Sequence, residues 1–187
     1  MMPAPKSRSE QTTGDLWVFA YGSLMWRPGF DHEEAVTARL PGAHRALCVY
    51  SWFHRGTREQ PGLVLGLDRG GSCRGMAYRV RAENRAAVID YLRERELVTN
   101  VYREVWRPIR IEGPEARFER ALAYLVDPHH EQYAGKLGRE ELLALVRNGV
   151  GQSGVNADYV ISTARHLDQL GFADPVLDWL ARELDRG

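Results

Sequence analysis

The sequence has little of what would indicate a secreted or membrane protein. It contains only two cysteines, Cys48 and Cys73, which lie far apart and form neither a Cys-x-x-Cys pair nor a disulfide-rich pattern. This usage argues against a disulfide-stapled scaffold and favours a reducing cytoplasm. No apolar run approaches the length of a membrane span, so we expect no membrane partner.

The chain also lacks an excess of charge of either sign. Its 25 basic and 25 acidic residues cancel, which leaves no electrostatic footprint for nucleic acid or an anionic membrane. Residues 1–15 contain no apolar stretch, so we expect a disordered N-terminal tail and no signal peptide. The rest, 16–187, is long enough to bury a core without staples and is expected to form a single domain.

The sequence contains no complete motif for a metal site or for a nucleotide-cofactor site. His129 and His130 are adjacent, and no third or fourth ligand follows at a regular spacing, so a solvated loop is expected there and no metal. Gly149, Gly151 and Gly154 satisfy G-x-G-x-x-G. They follow a helical segment instead of a strand, and too little chain remains for a second strand, so a dinucleotide site is not expected.

Strand patterns come first in the chain and helical patterns last, which favours an α+β fold over a doubly wound sheet. The predicted strands span 16–21, 35–40, 44–52, 62–68, 73–81, 104–111 and 117–126. Loops containing Gly or Pro, such as Pro41-Gly42 and Gly70-Gly71, are expected to separate them. The predicted helices span 83–96, 139–148, 156–170 and 174–185. So many short strands predict a curled sheet or small barrel that carries helices outside.

The most informative local feature is a short apolar strand that ends at Tyr21 and runs directly into Gly22 and Ser23. Glycine at position 22 permits a positive φ and a close backbone approach, and Ser23 adds a short hydroxyl donor. Consecutive N–H groups that face one concavity can bind a carboxylate or a developing oxyanion. The alternative is an ordinary strand-to-loop turn that binds nothing.

The helix predicted at 83–96 carries a carboxylate on its apolar face. Glu96 falls on the same stripe as three apolar side chains, those of Val88, Ile89 and Leu92. Burial and the negative end of the helix dipole would both raise the pKa of Glu96 towards the range useful for proton transfer. The alternative is a helix that ends by residue 95 and leaves Glu96 in a loop or paired with a neighbouring arginine.

Four motifs occur in a fixed order over nearly all of residues 16 to 170. They are Val18-Phe19-Ala20-Tyr21-Gly22-Ser23-Leu24-Met25-Trp26-Arg27-Pro28, the turn His54-Arg55-Gly56 followed by Pro61-Gly62, Tyr91-Leu92-x-x-Arg95-Glu96 followed by Tyr102, and Gly151-x-Ser153-Gly154-x-Asn156-x-x-Tyr159. Together they resemble the ChaC-like γ-glutamylcyclotransferases. The four motifs together are specific to this family, whereas any one of them alone would be weak evidence for the resemblance.

This resemblance implies a small mixed β-barrel with surrounding helices, a cytosolic location, no cofactor, and cleavage of glutathione to 5-oxoproline and cysteinylglycine. It also implies that Glu96 is the catalytic base. The γ-glutamyl group of the substrate would be held by the loop residues Tyr21, Gly22, Ser23, Leu24, Met25 and Trp26. Arg55 and Tyr159 are expected to support the remaining polar groups of the substrate.

One segment departs from the family's pattern. Glutathione-specific members of the family that this chain resembles carry a Phe-Trp-Gln-type segment just before the His-Arg-Gly turn. At the same place this chain has Leu47-Cys48-Val49-Tyr50-Ser51-Trp52-Phe53. Loss of an amide there could alter how the Cys-Gly part is held. Two alternatives therefore stay open. One is a cyclotransferase for another γ-glutamyl amine or peptide, and the other is a non-catalytic module that holds a γ-glutamyl ligand or a partner protein.

Overall fold

A closed five-stranded barrel forms the centre of the protein, whose computed structural model describes residues 14–186. Its strands are β1 Leu16–Ala20, β2 Glu34–Ser51, β3 Gly62–Val80, β4 Tyr102–Ile111 and β5 Arg117–Val126, in the order β1-β3-β2-β4-β5. β1 closes the barrel by pairing in parallel with β5, and the other pairings are antiparallel. The predicted α+β class with a small mixed barrel is confirmed.

Two pairs of predicted strands are in fact single long strands. The segments 35–40 and 44–52 belong to β2, and 62–68 and 73–81 belong to β3. Interpreting Pro41-Gly42 and Gly70-Gly71 as loops was wrong, because the pairing of β2 with β3 continues through them with a register shift between Pro41 and Ala43. Gly42 and Gly70 have φ values of 84° and 96°. Such bulges bend a strand pair and help it to curl into a barrel.

Four α-helices cover the barrel: α1 Arg85–Glu96, α2 Arg139–Asn148, α3 Asn156–Gln169 and α4 Pro175–Asp185. Short 3₁₀ helices span Ser23–Met25 and Ala82–Asn84, and a small hairpin joins β6 Val150–Gly151 to β7 Gly154–Val155. α4 begins as the sequence predicts, because the Asp174 side chain accepts a hydrogen bond from the Leu177 N–H at 3.1 Å and Pro175 follows it. Within residues 14–186, no helix combines the length and apolar character needed to cross a membrane.

The core fills the barrel interior and continues under the helices. Fully buried side chains from both parts include Leu16, Phe19, Leu40, Leu63, Leu122, Leu167, Leu177 and Leu180. Each such side chain contributes roughly 1.5–3 kcal/mol by leaving water. Most of the predicted tail, residues 1–13, lies outside the described residues. Asp15, at its end, binds Arg79 at 2.7 Å and accepts a hydrogen bond from the Ala82 N–H.

Candidate active site

A small cavity of about 100 Å³ opens where the end of β1, the start of β3, the end of α1, the start of β4 and the first turns of α3 meet. Its walls are formed by Tyr21, Gly22, Ser23, Leu24, Val64, Leu65, Glu96, Tyr102 and Tyr159. Six of these residues belong to the set expected from the sequence. The fold therefore brings together motifs that are as much as 138 positions apart, from Tyr21 to Tyr159.

The loop after β1 presents backbone N–H groups. The 3₁₀ helix Ser23–Met25 forms because the Met25 N–H donates to the Gly22 carbonyl at 2.8 Å. Its first turn leaves the N–H groups of Gly22, Ser23 and Leu24 without an acceptor among residues 14–186. Gly22 does not use the positive φ that glycine permits, because its φ is −133°. The free N–H groups belong to the start of the 3₁₀ turn, whose geometry requires no residue with a positive φ.

Three side chains hold this loop in place from behind. The Arg45 Nε–H donates to the Tyr21 carbonyl at 2.6 Å, and the Tyr78 hydroxyl donates to the Met25 carbonyl at 2.5 Å. Arg95 Nη2 donates to Ser23 Oγ at 2.9 Å. Since Ser23 is the acceptor in this bond, its own O–H remains available to donate to a ligand. The loop is thus fixed before any ligand arrives.

Glu96 is the last residue of α1, on the face that buries Val88 and Leu92. Its side chain is only 17 % exposed, so the predicted helix face is confirmed. Burial raises the pKa of Glu96, and the charge of Arg95, whose Nε lies 3.4 Å from Glu96 Oε1, opposes that rise only in part. The expected direction of this pKa shift is confirmed.

Arg95 is shared between the helix and the loop. One terminal nitrogen, Nη1, donates to the Arg27 carbonyl at 2.8 Å and to the Tyr91 hydroxyl at 3.1 Å, and the other donates to Ser23. Its Nε lies 3.4 Å from Glu96 Oε1. A guanidinium with so many acceptors leaves the Glu96 carboxylate without a bidentate partner. Arg95 therefore connects the Glu96 carboxylate to the donor loop, which we define as residues 22–24 with their free N–H groups. The carboxylate nevertheless remains basic.

Three tyrosines complete the cavity walls. The Tyr102 hydroxyl donates to the Leu65 carbonyl at 2.7 Å, and the Leu65 N–H donates to the Tyr159 hydroxyl at 3.0 Å. Burial holds the pKa values of Tyr21 and Tyr102 well above their usual range and raises the pKa of Tyr159 to about 12. All three phenols are neutral at physiological pH. Glu96 is the one carboxylate of the cavity walls.

α3 reaches the cavity because hydrogen bonds anchor it to the start of β3, which does not pair with β1. Asn156, fully buried at the start of α3, accepts from the Leu63 N–H and donates to the Leu63 carbonyl, both at 2.8 Å. Tyr159 lies one helical turn later and binds Leu65, two residues further along the strand. Helix and strand periodicities match at this point. The Asn-x-x-Tyr spacing thus satisfies a strand edge and also places a phenol in the cavity.

Comparisons with known proteins agree with this geometry. A family model described as ChaC-like protein matches residues 16–186. The chain belongs to the ChaC-like family. A glutathione-specific γ-glutamylcyclotransferase of Escherichia coli is 34% identical over 88% of this chain and 71% of its own length, and a human one is 30% identical over 90% and 78%.

A solved structure shows the same fold. It is a γ-glutamyl cyclotransferase specific to glutathione from yeast, with a TM-score of 0.81, and the match covers 92% of this chain and 96% of the yeast chain. The two sequences are 20% identical. The ChaC-like barrel with its outer helices is therefore shown for this chain by sequence and by structure.

Three residues that the resemblance places at the substrate do not line the ChaC-like cavity. Met25 is buried beneath the loop, and Trp26 stacks on His166 with ring centroids 4.4 Å apart. The Arg55 guanidinium lies 5.5 Å from the centre of the Tyr159 ring and donates to the Val155 carbonyl at 3.2 Å. These positions support cavity residues from behind, and direct substrate contact at any of the three stays a prediction.

The glycine-rich segment between α2 and α3 packs against the tip of the β2–β3 hairpin. A β-carbon at Gly151 would lie 2.4 Å from the Phe53 carbonyl oxygen, and one at Gly149 would lie 2.7 Å from the Arg55 carbonyl oxygen. No side chain fits there, so close backbone packing explains these two glycines. In the part of the chain that the structure describes, no three His, Cys, Asp or Glu side chains lie close enough together to hold a metal ion.

Our residue-by-residue interpretation assigned no role to three of the lining residues, Val64, Leu65 and Tyr102. Tyr102 stands in one of the four motifs, which is the signal that could have identified it. Val64 and Leu65 lie inside an apolar strand and carry no distinctive side chain. Their place in the cavity follows from the curvature of β3, and the local sequence does not encode it.

Proposed function

We propose that this chain is a γ-glutamylcyclotransferase that converts glutathione to 5-oxoproline and cysteinylglycine. The observation that carries the proposal is a single, largely buried carboxylate, Glu96, whose raised pKa suits proton transfer, in a cavity whose walls include three residues with free backbone N–H groups. Relatives that cover most of this chain bear the name glutathione-specific γ-glutamylcyclotransferase.

The reaction requires little from the protein besides a base and a shaped site. The α-amine of the γ-glutamyl group attacks its own γ-carbonyl, a C–N bond forms to close a five-membered lactam, and the amide bond to cysteine breaks. Because both reacting groups belong to one molecule, holding the chain folded replaces a bimolecular encounter. No covalent nucleophile is needed, so Ser23 acts only through its hydrogen bonds.

Glu96 would move the protons. The α-nitrogen enters as an ammonium and loses two protons on becoming a lactam nitrogen, while the departing cysteine nitrogen gains two. A carboxylate whose pKa is raised by burial can accept a proton from the ammonium and return it to the leaving amine. One side chain can thus serve both directions of transfer.

The donor loop would hold negative charge. The N–H groups of Gly22, Ser23 and Leu24 are fixed before binding, so they can receive the substrate's α-carboxylate or the tetrahedral oxygen without reorganisation. The Ser23 hydroxyl adds one more donor. We also propose a cytoplasmic location, because Cys48 and Cys73 are free thiols.

The decisive experiment is to incubate the purified protein with glutathione and to measure 5-oxoproline and cysteinylglycine in equal amounts. Glu96→Gln is the matched inactive control, since it keeps the shape of the side chain and removes the base. Product from γ-glutamyl-alanine but not from glutathione would favour the alternative of another γ-glutamyl substrate. Binding of a γ-glutamyl ligand without any 5-oxoproline would favour the non-catalytic module.

A further inference from the structure

The catalytic cavity continues into a larger groove of about 550 Å³. The two share three wall residues, Val64, Glu96 and Tyr102. A cavity of about 100 Å³ encloses little more than the glutamyl end of a substrate. Whatever is attached to the γ-carbonyl must therefore leave past Glu96 into the groove.

One end of the groove carries a cation held in a fixed position. The Arg58 guanidinium lies 4.0 Å from the centre of the Trp52 ring, a cation–π contact that restricts a long and otherwise flexible side chain. Its one ionic partner among residues 14–186 is Glu131, at 3.4 Å, and both side chains are more than 60 % exposed, at 66 % and 63 %. An exposed pair of this kind is weak and exchanges easily with another carboxylate.

The other basic side chains of the groove, Arg95, His54 and His130, each have a partner within the protein. Arg95 uses its N–H groups on the loop, on Tyr91 and on Glu96. His54 Nδ1 lies 2.8 Å from Ser153 Oγ, and His130 Nδ1 accepts from the Gln132 N–H. Arg58 is therefore the groove's available site for a second negative charge.

We infer that Arg58, held on Trp52, binds the C-terminal carboxylate of the peptide that leaves the γ-glutamyl group, in exchange for its contact with Glu131. This inference rests on the proposed function. It defines the preferred substrates as γ-glutamyl peptides that end in a free carboxylate beyond the reacting amide, and it makes Glu131 a competing anion for the same cation.

Gln132 is suited to hold the peptide between the two ends. The residue is 7 % exposed and lines the groove, and its Nε2 donates to the Tyr50 carbonyl at 2.9 Å. Its Oε1 has no donor among the described residues, so it can accept from a substrate N–H. Gln132 therefore supplies an amide in the region where the family's Phe-Trp-Gln-type segment is missing.

The test compares glutathione with glutathione whose glycine carboxylate is converted to an amide. We expect wild-type kcat/KM to be about three- to tenfold higher for glutathione, the range for a partly exposed charge pair. Arg58→Gln should remove this preference, mainly through KM. Glu131→Gln should increase it, because the competing anion is gone. Arg69→Gln, an exposed arginine on β3 outside the groove, should leave the preference intact.

The outcomes separate the two proposals. Equal rates for both substrates in wild type, or a preference that survives in a folded Arg58→Gln protein, would overturn the role of Arg58 and leave the cyclotransferase in place. If Arg58→Gln does not fold, the direction of the Glu131→Gln effect decides, since a lowered preference contradicts the inference. Absence of 5-oxoproline with both substrates would overturn both proposals.

Discussion

Two glutamates at the junction of α1 and β4 have nearly the same exposure and opposite chemistry. The side chains of Glu96 and Glu104 are 17 % and 19 % exposed. Arg93 donates to both oxygens of Glu104, each at 2.8 Å, and the Tyr124 hydroxyl donates to it at 3.3 Å. These hydrogen bonds lower the pKa of Glu104, whereas burial raises the pKa of Glu96.

Burial dominates at Glu96 and hydrogen bonding at Glu104, and the two sites also differ in how much of an arginine each carboxylate receives. Glu104 has a bidentate partner, whereas Glu96 lies 3.4 Å from the Nε of an arginine whose terminal nitrogens donate to the donor loop and to the residues that follow it. A carboxylate with its charge fully compensated is a poor base. Glu96 therefore keeps the basicity that a full ion pair would remove. The pair formed by Glu104 and Arg93 instead joins α1 to the barrel.

The largest expected effect is on catalysis at Glu96. Glu96→Gln keeps the shape but removes the proton acceptor, so kcat should fall by about 10²–10⁴-fold, the usual contribution of general acid–base catalysis. Formation of 5-oxoproline from glutathione measures it. Glu94→Gln is the matched control, because Glu94 is exposed on the same helix and should be nearly silent. Loss of activity in the control alone would show that the assignment of the helix face is wrong.

The next largest expected effect is on the pH dependence of catalysis. Catalysis needs Glu96 ionised, so kcat/KM should rise through a pKa above the ordinary value of 4.5. The Arg95 charge lowers that pKa, so Arg95→Gln should move the acidic limb to higher pH. In Glu96→Gln the limb should disappear, with slow activity that grows with alkalinity. A limb that persists there with substrate binding intact would assign the base to another residue.

Ser23→Ala should weaken activity several-fold without abolishing it, because it removes one auxiliary donor and leaves three backbone N–H groups. Loss of the Oγ acceptor also frees one N–H of Arg95. Steady-state kinetics of Ser23→Ala with glutathione measure the loss, and mass spectrometry of the wild-type protein during a single turnover tests for an adduct. A covalent glutamyl adduct on Ser23 would contradict the intramolecular mechanism.

Stability should respond in opposite directions at the two glutamates. The folded-state pKa of Glu104 is lowered, so its ionised form stabilises the fold above the unfolded value near 4.5, and that stabilisation is lost as pH falls through the folded pKa. Glu104→Gln should therefore lower the free energy of unfolding at neutral pH by about 1 kcal/mol and leave activity intact. Denaturant titration at pH 7 measures the change.

For Glu96 the dependence of stability on pH has the opposite sign. Its folded-state pKa is raised, so the folded protein binds the proton more tightly and stability falls as pH rises from 4.5 through the folded pKa. Removing the charge in Glu96→Gln should make the protein more stable at neutral pH. Destabilisation by Glu96→Gln at pH 7, measured beside Glu104→Gln, would show that the Glu96 carboxylate is better paired than its contacts indicate.

Local patterns determined most of the element boundaries and one half of the site. Periodicity and caps located α2 and α4, and the apolar stripe of α1 placed Glu96 on its buried face. These features depend on neighbours within a turn or two of the chain, so they can be read from it directly. The four family motifs then predicted the mixed barrel and six of the residues that line the cavity.

Only the tertiary structure decided what surrounds those residues. The bends at Pro41-Gly42 and Gly70-Gly71 join pairs of apparent strands, and the resulting curvature of β3 brings Leu65 to the cavity. The division of Arg95 between the loop and Glu96, and of Arg93 entirely to Glu104, likewise depends on distances between segments far apart in the chain. A pKa depends on the burial and charges around a group, so neighbours brought by folding determine which glutamate can act as a base.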